Sequence, residues 1–233
     1  MGNGSSAVFT GNTFNGNPND IYTGGAVSIQ NEGNYRFEGG IVADSLDVTG
    51  GASVVFGPDA VNRKQSANAT AGALLNGTVS DSSIGFEGTQ SFGNLTLTGG
   101  ELQIGTSATG GALTLESLTQ TGGAQLEFNV FSPTDYDTLK LKTAADLTDA
   151  ALVFAFDADS LTDWSRYDFI TSDVGITGLD LANVDFQGLA GNYEVLLTPT
   201  GLSVMYSSVP EPAAWILLLL GGLMAAIRRK RIL

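Results

Sequence analysis

The chain of 233 residues contains no cysteine and no histidine. The first absence removes disulfides and thiolate metal sites, the second removes Ser-His-Asp triads, and together they remove Cys-His dyads. Basic residues are few: ten Lys and Arg stand against 24 Asp and Glu, for a net charge of −14. Four of those ten lie together at Arg228, Arg229, Lys230 and Arg231. Residues 1–208 therefore carry 6 basic residues (10 less 4) and 23 acidic ones (24 less Glu211), a net of −17. A surface so acidic excludes nucleic acid as a partner, because phosphates need cations. The acidity keeps the chain soluble, and it leaves open an attraction for divalent cations or basic polymers.

Helical periodicity is also missing before residue 213. What is present is β-type patterning: short runs in which apolar and polar residues alternate, such as Ala26–Ile29, Ser53–Phe56, Leu95–Leu97, Leu102–Ile104, Leu113–Leu115 and Leu126–Val130. Alternation of period two places one face of each strand in a core. Glycine punctuates the runs. Thr-Gly-Gly begins at Thr23, Thr49, Thr98, Thr109 and Thr121. Those spacings fit multiples of roughly two dozen residues, or half of that, the length of one coil in a stacked β architecture. Gly at a fixed corner permits positive φ and close approach of the next coil. A single coil cannot bury its apolar face alone, so coils must stack. A β-sandwich with Gly-Asn turns is the other arrangement that the same runs allow.

The first 27 residues carry Phe9-Thr10-Gly11-Asn12 and Phe14-Asn15-Gly16-Asn17, followed by Gly24-Gly25-Ala26-Val27. This pattern resembles the passengers of polymorphic outer-membrane proteins and other autotransporters. The resemblance implies an all-β fold, a right-handed parallel β-helix over residues 1–130. Residues 131–208 have longer apolar runs, among them Tyr136–Leu141, Ala151–Phe156, Tyr167–Thr171, Tyr193–Leu197 and Gly201–Tyr206. They resemble the terminal segment of autotransporter-associated β-strand proteins, in which a Tyr-Asp-x-Leu strand and later hairpins close the solenoid. Tyr136, Asp137 and Leu139 fall on that motif. A closing segment is physically required, because an open coil exposes strand edges and core. No membrane β-barrel pattern follows, so delivery to a surface takes another route than in true autotransporters.

Residues 209–233 have a different composition. Val209-Pro210-Glu211-Pro212 precedes fifteen uncharged residues, Ala213 to Ile227, and then the basic cluster. As a helix, 213–227 would measure roughly 22 Å at about 1.5 Å per residue, a short span for a bilayer core of about 30 Å. Trp215 suits one interface, and Arg228, Arg229, Lys230 and Arg231 suit the cytoplasmic one, which puts the acidic body outside. The order Pro-Glu-Pro, apolar helix, Arg-rich stretch resembles the PEP-CTERM sorting signal, with its motif on Pro210, Glu211 and Pro212. That resemblance implies an exosortase, a membrane cysteine transpeptidase or protease, as partner. It also implies export, a transient inner-membrane anchor, and a final place on the cell surface or in an extracellular matrix. Proteins of that kind are expected to carry a signal peptide. Met1–Ser6 has neither a basic nor an apolar region of that type, so we expect a truncated reading frame or a start site further upstream.

Local chemistry is sparse. Asp157, Asp159 and Asp163 offer oxygen ligands at alternate spacings but lack the Gly and distal Glu of an EF-hand loop. Asp135 and Asp137 form a second acidic turn. Solvated turn aspartates explain both sets as well as Ca²⁺ does. No residue is assigned as catalytic and no cofactor is expected. The sequence therefore reads as a non-catalytic structural or adhesin-like surface protein, with exopolysaccharide as a candidate partner. The alternative is a polysaccharide-active β-helix enzyme, a lyase or glycoside hydrolase acting through a carboxylate pair.

Overall fold

The computed structural model describes residues 5–9, 13–14, 17–18, 20–65, 73–157, 165–189 and 192–207, the first three stretches as backbone only. Among them there is no α-helix, and the fold is all-β. Two large sheets dominate. The first runs in the order Ser5–Phe9, Gly33–Phe37, Ala52–Phe56, Ser83–Phe86, Glu101–Ile104, Gln125–Ser132, Ala151–Phe156, Val184–Gln187. Every neighbouring pair along that path is parallel. The second sheet runs Val27–Ile29, Leu46–Val48, Gly77–Ser80, Thr89–Thr98, Ala112–Thr121, Thr138–Leu141, Arg166–Ser172, again parallel. A short third sheet joins Ile21–Tyr22, Ile41–Ala43 and Arg63–Lys64. The chain thus visits the sheets in turn, and each visit adds a strand beside the previous one. The last two strands of the second sheet, Asn192–Thr198 and Gly201–Ser207, form an antiparallel pair against Arg166–Ser172.

Parallel register explains why the alternating runs suffice to build a core. Residues of like phase stack on one another, about 4.8 Å apart along the hydrogen-bonding direction. In the first sheet Tyr35, Val54, Ile84, Leu102, Leu126, Leu152 and Val184 form one inward row. Phe37, Phe56 and Phe86 form another, with ring centroids 5.7 and 5.4 Å apart. Phe128, Phe154 and Phe186 repeat the device at 5.2 and 5.4 Å. Stacked rings at these separations add to the burial of their area. In the second sheet Gly77 interrupts the row Leu46–Gly77–Leu95–Leu118. The ring of Phe92 fills the gap, 3.1 Å from where a Gly77 Cβ would stand.

Four of the five Thr-Gly-Gly sites divide into two kinds, while Gly24-Gly25 shows neither left-handed φ nor a close neighbour. Gly50-Gly51, Gly99-Gly100 and Gly122-Gly123 each join a strand of the second sheet to the next strand of the first, and all six have φ between 67° and 78°. Two successive left-handed residues turn the chain sharply, a conformation that glycine adopts without Cβ strain. At the equivalent corner before Ser83 the left-handed residue is Asp81, at φ 48°, one of the few side chains that tolerate it. Thr98 lies beside Thr121 in register. Thr109 belongs to the opposite corner, which is why the steps of 11 and 12 residues alternate. Gly110 and Gly111 there have ordinary φ and are needed for closeness: a Cβ on Gly110 would lie 2.6 Å from the Tyr136 backbone. These contacts make a graded prediction. Gly123 has nothing within 4 Å of its Cβ position, so Gly123→Ala should cost about 1–2 kcal/mol from φ alone. Gly100→Ala should cost measurably more in the same urea titration, because its Cβ would meet the Ser82 carbonyl at 2.1 Å.

Among the described residues no helix is long and apolar enough to cross a membrane. The helix expected over 213–227 lies outside them.

Candidate functional site on the outer face of the first sheet

The residues that alternate with the inward rows face outward. Val55, Gly85, Gln103, Glu127 and Val153 form one outer row, and Ser53, Ser83, Glu101 and Gln125 the next. Gly85 leaves a notch between two longer side chains, where an added Cβ would sit 3.4 Å from Val55 Cγ2 and 3.9 Å from Gln103 Cβ. The notch is part of a cleft of about 400 Å³ that Glu87, Gly105, Thr106 and Ser107 also line.

Hydrogen bonds tie this face together. Gln103 donates to Glu101 at 3.0 Å, and Gln125 reaches the same carboxylate at 3.5 Å. Glu127 is held above the ordinary carboxylate range, first by a hydrogen bond with the Glu101 carboxyl, then by burial, then by the Glu101 charge. Like charges this close favour sharing a proton. At the edge of the cleft Arg36 grips Glu87 with both guanidinium arms, at 2.5 and 2.7 Å, and Glu38 at 2.5 Å. These bonds raise the Arg36 pKa further, so the cation is permanent and already neutralised twice. Because the Glu87 side chain is only 17% exposed, the pair matters to stability. Arg36→Met should cost about 1–3 kcal/mol, read from chemical denaturation, by leaving Glu87 without its charged donor.

The Tyr-Asp-x-Leu motif does a different job. Asp135–Tyr136 folds back antiparallel on Gln125–Ser132. Asp137 is fully buried and accepts from the Gly111 N–H at 2.8 Å, the Asn129 N–H at 2.7 Å and Asn129 Nδ2 at 3.2 Å. Burial pushes its carboxyl up to about 7, against the pull of those donors. Asp135 accepts from the Gly110 N–H at 2.8 Å. Tyr136 packs edge-on against Tyr167 and Phe169, and Leu139 is in the core. Both aspartates therefore bind backbone donors of the Thr-Gly-Gly corner.

Of the cation candidates, Asp157 is exposed, and its N–H donates to Val130 O at 2.9 Å. Asp159 and Asp163 lie outside the described residues. No grouping of three or more acidic side chains able to hold a metal occurs among the described residues. The residues Arg36, Glu87, Glu101 and Glu127 were not singled out by local sequence patterns. Arg36 and Glu87 are 51 positions apart, and only aligning successive repeats by register would bring them together.

Pro210, Glu211, Pro212, Trp215 and the cluster Arg228–Arg231 also lie outside the described residues, and sequence comparison bears on them directly. Residues 208–231 match the PEP-CTERM protein-sorting motif. The PEP-CTERM motif implies an exported protein that passes transiently through the membrane, is processed by an exosortase and is sorted to the cell surface. The match leaves residues 1–207 unassigned. No curated protein and no solved structure matches the chain.

Proposed function

We propose that the chain is a non-catalytic surface or matrix protein whose body winds as a right-handed parallel β-helix closed by residues 131–208. The observation that carries the reading is the sorting motif following a body of stacked parallel strands. Such a body is rigid, extended and acidic, and its long outer faces suit contact with other surface polymers, extracellular polysaccharide among them. The anchor would lie in the inner membrane with Arg228–Arg231 on the cytoplasmic side until an exosortase acts near Pro210–Pro212. The experiment is mass spectrometry of the surface-exposed protein from a host with the matching exosortase. The expected mass lacks residues 213–233, and an intact mass at the surface would reduce the tail to an ordinary anchor.

The carboxylate pair bears on the enzyme alternative. Glycosidase carboxyls must be free to reach the sugar and its attacking water. Here Glu101 accepts from Gln103 and Gln125, and Glu127 from Asn129, all on their own face. No aromatic ring is among the residues that line the cleft. Both points support the non-catalytic reading, and sugar release by the purified protein that vanished in Glu127→Gln would reverse it.

A further inference from the structure

We propose that the cleft at Gly85 binds a neutral, hydroxyl-rich ligand of the saccharide class; the inference deepens the surface-protein reading and rests on it. The outer face of a β-sheet is ordinarily filled by its own side chains. Here the row Val55–Gly85–Gln103–Glu127 lacks a side chain at its second position, and a cleft of about 400 Å³ lies there, lined also by Thr106 and Ser107. That volume falls within the range of small-molecule sites.

The lining selects the ligand class. Its polar groups are carboxylates, side-chain amides and hydroxyls: Glu87, Gln103, Glu127, Asn129, Thr106 and Ser107. Both Glu87 oxygens accept from Arg36, and the amide nitrogens of Gln103 and Asn129 donate to Glu101 and Asp137, so the lining offers a ligand chiefly acceptors: Glu127 and the amide oxygens of Gln103 and Asn129. An anionic polymer would meet Glu87 and Glu127, with Arg36 already spent on two carboxylates. An apolar ligand would find only Val55 and Ile104. Hydroxyl groups both donate and accept, so a sugar can supply the donors that this lining lacks. No aromatic ring lines the cleft, so stacking adds nothing and a single site should bind weakly, with Kd on the order of 1 mM. Repetition over many copies at a surface would raise the avidity.

The test is a saturation-transfer NMR titration of the full-length chain in a detergent without a sugar headgroup. The probes are cellotetraose and maltotetraose, with tetragalacturonate as the acidic counterpart. Saturable binding of a neutral probe is expected. Gly85→Thr should weaken it at least tenfold, since the notch accepts the Cβ at van der Waals distance and threonine suits a strand. Gln103→Leu, an outward and exposed position, should weaken it comparably without touching the Gly85 backbone. Thr119→Ser, on the outer face of the second sheet, should leave it unchanged. Absence of saturable neutral binding, binding indifferent to both cleft variants, or preference for tetragalacturonate would each overturn the proposal. Tail processing, read by mass spectrometry on surface-exposed protein, is independent of the titration, so the two readings fail separately.

Discussion

Replacing Asp137 with Ala should lower stability by about 3–5 kcal/mol and the melting temperature by roughly 10 °C. The carboxylate is fully buried and joins three donors from two different turns of chain. Truncation leaves the buried Gly111 amide and the half-buried Asn129 amides without their acceptor, at about 1–3 kcal/mol for each donor left unpaired. It also opens a space under Gly105, whose Cβ position lies 2.3 Å from Asp137 Oδ1. The pH dependence gives a second readout with a definite sign. Burial raises the folded pKa to about 7 from the ordinary value of 3.8, so the folded state binds the proton more tightly than the unfolded one. The resulting stabilisation is complete below about pH 3.8 and is lost as pH rises through about 7. Asp137→Asn cannot titrate. Between pH 4 and 8 the wild type should therefore lose stability relative to Asp137→Asn, and a constant difference between the two would show that Asp137 stays ionised throughout.

Asp137 also marks where sequence reasoning stops. The motif Tyr136-Asp137-x-Leu139 is legible as a closing strand, and the acidic turn is legible as a cation candidate. Burial of the aspartate depends also on the corner at Gly111, which lies 26 positions earlier and supplies one of its donors, and no local pattern announces that. The inward rows were easier to read, because period-two alternation is local and parallel register only repeats it. The left-handed corners at Gly50, Gly99 and Gly122 were legible for the same reason. The repeat length was not, since the step between register partners varies: Gly33 lies beside Ala52, 19 positions on, and Leu152 beside Val184, 32 on. Variable loops hide the phase that brings Arg36 to Glu87 and Glu101 to Glu127. The outer-face cleft was therefore invisible in the sequence, although each residue lining it was in view.

Replacing Pro210 and Pro212 together with Ala should abolish processing, leaving the full-length chain in the membrane fraction. Each proline fixes φ near −65° and removes a backbone donor, and each biases the residue before it away from the helical region. The two prolines predict an extended Glu211, outside any helix that begins at Ala213. An extended segment at the membrane surface is the form a protease cleft can bind. With alanines in both places the helix can extend through Glu211 toward Val209, which hides the backbone that the enzyme must reach. Insertion should persist, because the fifteen uncharged residues 213–227 are unchanged. Replacing Arg228, Arg229, Lys230 and Arg231 with Ser should act on the other step. Removing four positive charges takes away the cytoplasmic anchor, so the chain should be released or mislocalised rather than retained at full length. Glu211→Gln isolates charge from shape, since it keeps both prolines. Cleavage of Glu211→Gln at the wild-type rate would mean that the enzyme reads the extended backbone alone, whereas its loss would mean that the carboxylate itself is recognised. Membrane fractionation followed by intact-mass measurement separates all three variants. Normal cleavage of the double-proline variant would overturn the extended-segment mechanism.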